Sequence, residues 1–185
     1  LKKILLLFFT FLLLSACKNN VAKPNPSSVV GLPFFDLKGY FEKEITRLEG
    51  IKKGKKTSVV NDKREEKTLD SLDFRSELKI FSSSDINRPA WADKYDIEEL
   101  FNPKGQQAET NYLAKSEKLK TRKISIEFEA GKVSKIFIEN RIPSLIATTR
   151  QRLSYRPQKG YSIEINQKVI FSADNYFLVE VAFEK

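Results

Sequence analysis

Apolar positions follow three different periods along this chain. From Ile4 to Leu14 they are continuous, interrupted at Thr10. After a polar gap they return at helical spacing, with Leu37, Phe41, Ile45 and Leu48 four, four and three residues apart. Asp36 suits the N-cap or first turn, Arg47 the last turn, and Gly50 a stop, so the pattern predicts a helix over 36–49. Gly39 inside it costs about 1 kcal/mol relative to alanine. Phe74, Leu78 and Phe81 repeat the helical period over 72–82, with Asp73 as cap. Pro89 then restricts Arg88 and excludes helix there, and Trp91 is expected to seal this irregular segment against the core.

Period two takes over in the second half. Ile124, Ile126 and Phe128 alternate with polar residues, and Ala130-Gly131 offers a hairpin turn into 133–140. Tyr161, Ile163, Ile165, Val169 and Phe171 keep the alternation, as do Phe177, Val179, Val181 and Phe183. Residues 144–155 are a weaker strand, followed by a turn from Arg156-Pro157 to Gly160. Residues 51–71 read as two polar strands around a turn at Asn61-Asp62. Short connections between successive strands imply an antiparallel meander. The expected fold is α+β: a curved antiparallel sheet with two N-terminal helices packed on one face. Phe137, Tyr176 and Leu178 point opposite to their apolar neighbours, so a second apolar face is expected, with helices as its simplest cover.

The continuous run at the start belongs to something else. Lys2-Lys3 is a short positive segment, and eleven helical residues rise about 16 Å, roughly half a bilayer core. An export signal fits better than a membrane span. Leu14-Ser15-Ala16-Cys17 resembles the lipobox of bacterial lipoproteins, and it holds the chain's one cysteine. The resemblance implies S-acylation of Cys17 by diacylglycerol, cleavage between Ala16 and Cys17, and acylation of the new amino terminus. Two or three chains, palmitate among them, anchor a protein firmly where one chain binds marginally. By analogy with such proteins, Lys18 in place of an aspartate points to the outer membrane, and Lys18-Asn19-Asn20 to its periplasmic face.

Residues 18–33 hold three prolines, one glycine, two serines and three asparagines, the composition of a tether. As a coil it reaches about 20–24 Å, or roughly 50 Å if stiffened by proline. The chain thus divides into a lipoprotein signal peptide (1–16), the acylated cysteine and flexible tether (17–33), and a single α+β domain (34–185). The helix-flanked meander is similar to the half-barrels of periplasmic lipoprotein carriers, which hold acyl chains between sheet and helices. More broadly the chain resembles small uncharacterised lipoproteins of Gram-negative bacteria.

Composition narrows the chemistry. The 185 residues include no histidine, which excludes Ser-His and Cys-His nucleophile pairs and imidazole metal ligands. A single cysteine leaves no internal disulfide. The seven glycines form no phosphate-binding motif. Ser76 and Lys79 match the S-x-x-K spacing, but the partner motifs of penicillin-recognising enzymes are missing. Asp93, Asp96, Glu98 and Glu99 gather carboxylates without a calcium-loop pattern, so no metal and no cofactor are expected. The formal charge is +9, to which Lys2 and Lys3 contribute two, leaving +7 on the exported part. Lys52, Lys53, Lys55 and Lys56 around Gly54 read as a basic loop, either a solvated segment that keeps a sheet edge unpaired or a contact for phospholipid or lipopolysaccharide phosphates. Export argues against nucleic acid as a partner. These features imply a monomeric, non-enzymatic periplasmic binding or envelope-maintenance module on a lipid anchor, with an acyl-chain carrier as the alternative. Its partners would be the membrane itself, an envelope protein or an anionic lipid.

Overall fold

The computed structural model describes residues 32–51 and 53–184. Ala16, Cys17 and Lys52 lie outside the described residues. Helix α1 spans Leu37–Leu48, and the Asp36 side chain caps it by accepting from the Gly39 N–H at 2.9 Å. A β-carbon on Gly39 would fall 2.2 Å from the Asp36 carboxylate, so the glycine makes room for the cap. The second helical stretch divides into α2 (Phe74–Glu77) and α3 (Lys79–Ser82), with Leu78 at the break. Asp73 caps it through the Ser76 N–H at 3.2 Å, as its place in the sequence predicts. Pro89–Trp91 forms one 3-10 turn, with the Arg88 guanidinium 4.3 Å above the Trp91 ring.

Nine strands make one antiparallel sheet. They are β1 (Gly54–Val60), β2 (Lys63–Leu69), β3 (Tyr95–Phe101), β4 (Gln107–Ala114), β5 (Thr121–Glu129), β6 (Lys132–Pro143), β7 (Ala147–Arg156), β8 (Gly160–Val169) and β9 (Asn175–Phe183). Strands β3 to β9 form the meander, and the β1–β2 hairpin adds to its far side through β9. The architecture is the α+β curved sheet with helices on one face that the periodicities predict.

Alternation assigns the faces. One inner row runs Ile126, Ile136, Tyr155, Tyr161, Val181, and the next runs Tyr112, Ile124, Ile138, Leu153, Ile163, Val179. Onto these rows α1 and α3 press Phe41 and Phe81, whose rings lie 5.1 Å apart. Phe41 also meets the Tyr155 ring edge-on at 5.1 Å. Phe74 closes on Phe183 at 5.7 Å, and Phe34 on Tyr95 and Tyr112, each at 5.6 Å. Phe41, Leu48, Leu78, Phe81, Ile136, Ile138, Leu153 and Tyr155 are all fully buried.

Several expectations are corrected. The helix cover expected over a second apolar face does not exist among the described residues. The outer row reads Asn111, Ser125, Phe137, Ser154, Ser162, Glu180, Thr57, and polar groups dominate it. The single 72–82 helix is interrupted at Leu78, which sits at φ −90° and ψ −2° between the two short pieces, with Phe74 and Phe81 buried on either side of the break. Phe171 leaves the alternating strand and stands in a turn at φ 63°. The supposed basic loop around Gly54 is instead the start of β1, since pairing with Phe183 and Leu69 holds Gly54 extended. Tyr95 and Ile97, which suit either a strand or a helix edge in the sequence, belong to strand β3, and β4 goes unread there.

Candidate functional site

The alternation of β1 separates the lysines that the sequence places together. Lys56 turns inward, where its ammonium bonds Glu77 of α2 at 2.7 Å, and the same carboxylate accepts from the Tyr161 hydroxyl at 2.9 Å. Lys55 turns outward and pairs with Glu66 of β2 at 2.8 Å. Lys53 is exposed ahead of the strand, its carbonyl accepting from the Glu184 N–H. Lys56 borders a small hollow with Ser58, Glu65 and Lys67, and Lys55 faces a larger concave surface on the other side of the sheet.

That surface is a shallow cleft of about 390 Å³ on the outer face, over β1, β2, β7, β8 and β9. Its cations are Lys55, Arg64, Arg156 and Lys159, its carboxylates Glu66 and Glu180, and its hydroxyls include Thr57, Ser154 and Ser162. The β7–β8 turn builds one wall. Lys159 N–H donates to the Arg156 carbonyl at 3.0 Å, and Pro157 is fastened to α1 because its carbonyl accepts from Arg47 at 2.6 Å. Gly160 follows at φ 139°, where a β-carbon would lie 1.8 Å from the Val181 carbonyl oxygen. No side chain fits there, so β8 and β9 approach closely beneath the cleft.

The charges differ in their freedom. Hydrogen bonds from Lys55 and from Arg64, the latter at 2.7 Å, pull the Glu66 carboxyl down to about 2. Arg156 and Lys159 meet no carboxylate within 4 Å among the described residues. Two committed and two uncommitted cations beside a row of hydroxyls can hold an anionic, hydroxyl-bearing group through charge-assisted hydrogen bonds. The walls offer little for an apolar chain. The signal for Arg156 and Lys159 was present in the turn sequence "RPQKG", but their company with Lys55 and Arg64 depends on strand pairing across distant parts of the chain.

The other candidate groups disperse. Ser76 and Lys79 are both exposed, and no hydrogen bond joins their side chains among the described residues. Asp93 bonds Lys94 at 2.9 Å and Asp96 pairs with Lys115 at 3.3 Å. Glu98 and Glu99 are neighbours in β3 and so point to opposite faces. No group of three or more acidic, histidine or cysteine side chains converges among the described residues. None of the described helices is long and apolar enough to cross a membrane. No protein-family model matches the chain, and no curated protein or solved structure is significantly similar to it.

Proposed function

We propose that this is a lipid-anchored envelope protein that works by contact at its surface, as a non-enzymatic binding or envelope-maintenance module. Cys17 would carry the anchor, with the outer membrane's periplasmic face as its site. The observation that favours surface contact over acyl-chain carriage is the packing between helices and sheet. Phe41, Phe81, Leu78 and Leu48 fill that space against Ile136, Ile138, Leu153 and Tyr155, and all eight are fully buried. A fatty chain gains about 25 cal/mol per Å² on leaving water, but here it would have to displace side chains that already hold that gain. The outer cleft, with Arg156 and Lys159 uncommitted, supports anionic lipid or an acidic envelope protein as the contact.

Two measurements on the full-length protein test this. Metabolic labelling with an alkyne fatty acid should mark the wild type, and Cys17→Ser should lose the label and accumulate as unprocessed precursor. Label retained on the variant would refute Cys17 as the anchor. Titration of the delipidated protein with a fluorescent fatty acid should give no saturable binding. Stoichiometric saturation, or a co-purified lipid, would replace this reading with the carrier.

A further inference from the structure

The turn between β6 and β7 is closed by the Ser144 N–H donating to the Ala147 carbonyl at 2.7 Å and the Ala147 N–H donating to Ser144 Oγ at 3.0 Å. Its apex is Leu145-Ile146. The β8–β9 connection stands beside it, joined by the Ile170 N–H donating to the Ile146 carbonyl at 2.9 Å, and carries Ile170-Phe171. Such positions ordinarily hold glycine, asparagine, aspartate or serine. Here Leu145 and Phe171 are 96% and 105% exposed, and Ile146 and Ile170 more than half so. Phe171 also sits at φ 63°, a region bulky residues rarely enter. Folding gains almost no burial from Leu145 and Phe171 where they stand, and only part of what Ile146 and Ile170 could give.

Behind the apices the outer face is basic. Arg141, Arg150, Arg152 and Lys168 line a hollow of about 360 Å³ together with Thr148 and Asn166. Arg141 lies directly across from Arg150 in the β6–β7 ladder, a like-charge pairing that disfavours the sheet unless an anion answers it. Arg141 reaches Glu117 at 2.8 Å and Arg152 reaches Glu164 at 3.6 Å. Arg150 and Lys168 have no carboxylate within 4 Å among the described residues. Against these cations the two connections supply one acid, Asp174.

We infer that the paired tips of the β6–β7 and β8–β9 hairpins dock on an anionic bilayer surface, with Leu145, Ile146, Ile170 and Phe171 entering the headgroup boundary. Arg150 and Lys168 then meet lipid phosphates. Protruding apolar apices backed by cations match the layering of a membrane interface, where acyl chains lie beneath phosphate. This deepens the membrane reading above by specifying which end of the domain faces the lipid, and it needs no acylation to be true.

The test uses the full chain carrying Cys17→Ser, so that an introduced cysteine is its one thiol and failure of the lipid anchor cannot affect the result. A polarity-sensitive fluorophore is placed by Ser172→Cys at the tip, or by Lys104→Cys in the β3–β4 turn at the opposite end. With phosphatidylglycerol-containing vesicles the Ser172 label should shift to the blue and be quenched by spin-labelled lipid, while the Lys104 label stays aqueous. Replacing Leu145, Ile146, Ile170 and Phe171 by serine should abolish the shift without lowering the melting temperature. Arg150→Gln and Lys168→Gln should each weaken partition into anionic vesicles about fivefold. A shift equal at both labels, or one that survives the serine variant, would overturn the proposal in favour of attachment through the amino-terminal segment. A Ser172 label that stays aqueous on these vesicles and responds to an envelope protein extract would overturn it in favour of a protein partner.

Discussion

Glu44 illustrates how much a single side chain can do in a small α+β domain. It lies on the buried side of α1, bonded bidentately by Arg47 at 2.9 and 2.7 Å and accepting from the Tyr155 hydroxyl. Arg47 continues to the Pro157 carbonyl, so helix, sheet and the β7–β8 turn meet in one network. Glu77 makes the matching fastening from α2 to Tyr161 and Lys56. Removing one partner from such a network leaves the others desolvated without compensation. Glu44→Ala should therefore cost about 2–3 kcal/mol, lowering the melting temperature by roughly 5–10 °C in calorimetry. A loss under 1 °C would show that Arg47 and Tyr155 find water instead. Neither glutamate was legible in the sequence as a buried group, because helical periodicity counts glutamate as solvent-facing. Of their aromatic partners Tyr161 was legible, since it falls on the inward phase of its strand, while Tyr155 ends a stretch with weak alternation.

Among the elements, legibility followed the contrast between faces. Strands β5, β6, β8 and β9 alternate clearly because helices cover one face and water the other. Strand β3, "YDIEELF", is an edge strand with Tyr95 as its one buried residue, so burial leaves little imprint on its sequence. Strand β4 buries Thr110 and Asn111 beside Tyr112, and two polar residues in three hide the period. The cap at Asp73 was readable because N-capping is local chemistry, whereas the break at Leu78 leaves no mark on the helical spacing of Phe74, Leu78 and Phe81. Gly160 is the element-scale counterpart of Glu44. With φ at 139° and a β-carbon position 1.8 Å from the Val181 carbonyl, Gly160→Ala must push β8 from β9 or break their pairing at that end. A loss of about 3 kcal/mol or more is expected in urea unfolding, with faster amide exchange at Val181 and Ala182. Unchanged exchange there would show that the strand pair yields without opening.

Across the whole molecule, five of the six tyrosines gather between helices and sheet or along its inner rows. Burial is the leading cause that raises the hydroxyls of Tyr40, Tyr95, Tyr112, Tyr155 and Tyr161, with Tyr95 pushed up to about 12. In the unfolded chain these groups ionise near 10. Above that pH the unfolded state holds fewer protons than the native state, so stability falls as pH rises; below it the groups are protonated in both states and stability is unaffected by them. Thermal stability should hold to about pH 9.5 and then drop steeply, and phenolate absorbance should appear together with loss of the sheet. Gradual ionisation of all six tyrosines in an intact fold would contradict the packing. The meander was legible at this scale, but the return of β1 and β2 to the other side of β9 was not, because pairing between distant segments leaves no local pattern.

That return sets a timetable for the chain. Strand β9, the last of the described strands in chain order, lies between β8 and β1. The Tyr176 N–H donates to the Asn61 side chain across a separation of 115 residues. At roughly 5–20 residues per second, β1 waits about 6–23 s after its synthesis for its partner to exist. During that interval no stage of elongation offers β1 and β2 a sheet to join, and the amino-terminal third stays unfinished while the rest is made. Pairing of β1 with β9 is therefore a late step of assembly, one that the β3–β8 meander can precede and without which the β1–β2 hairpin cannot join the sheet.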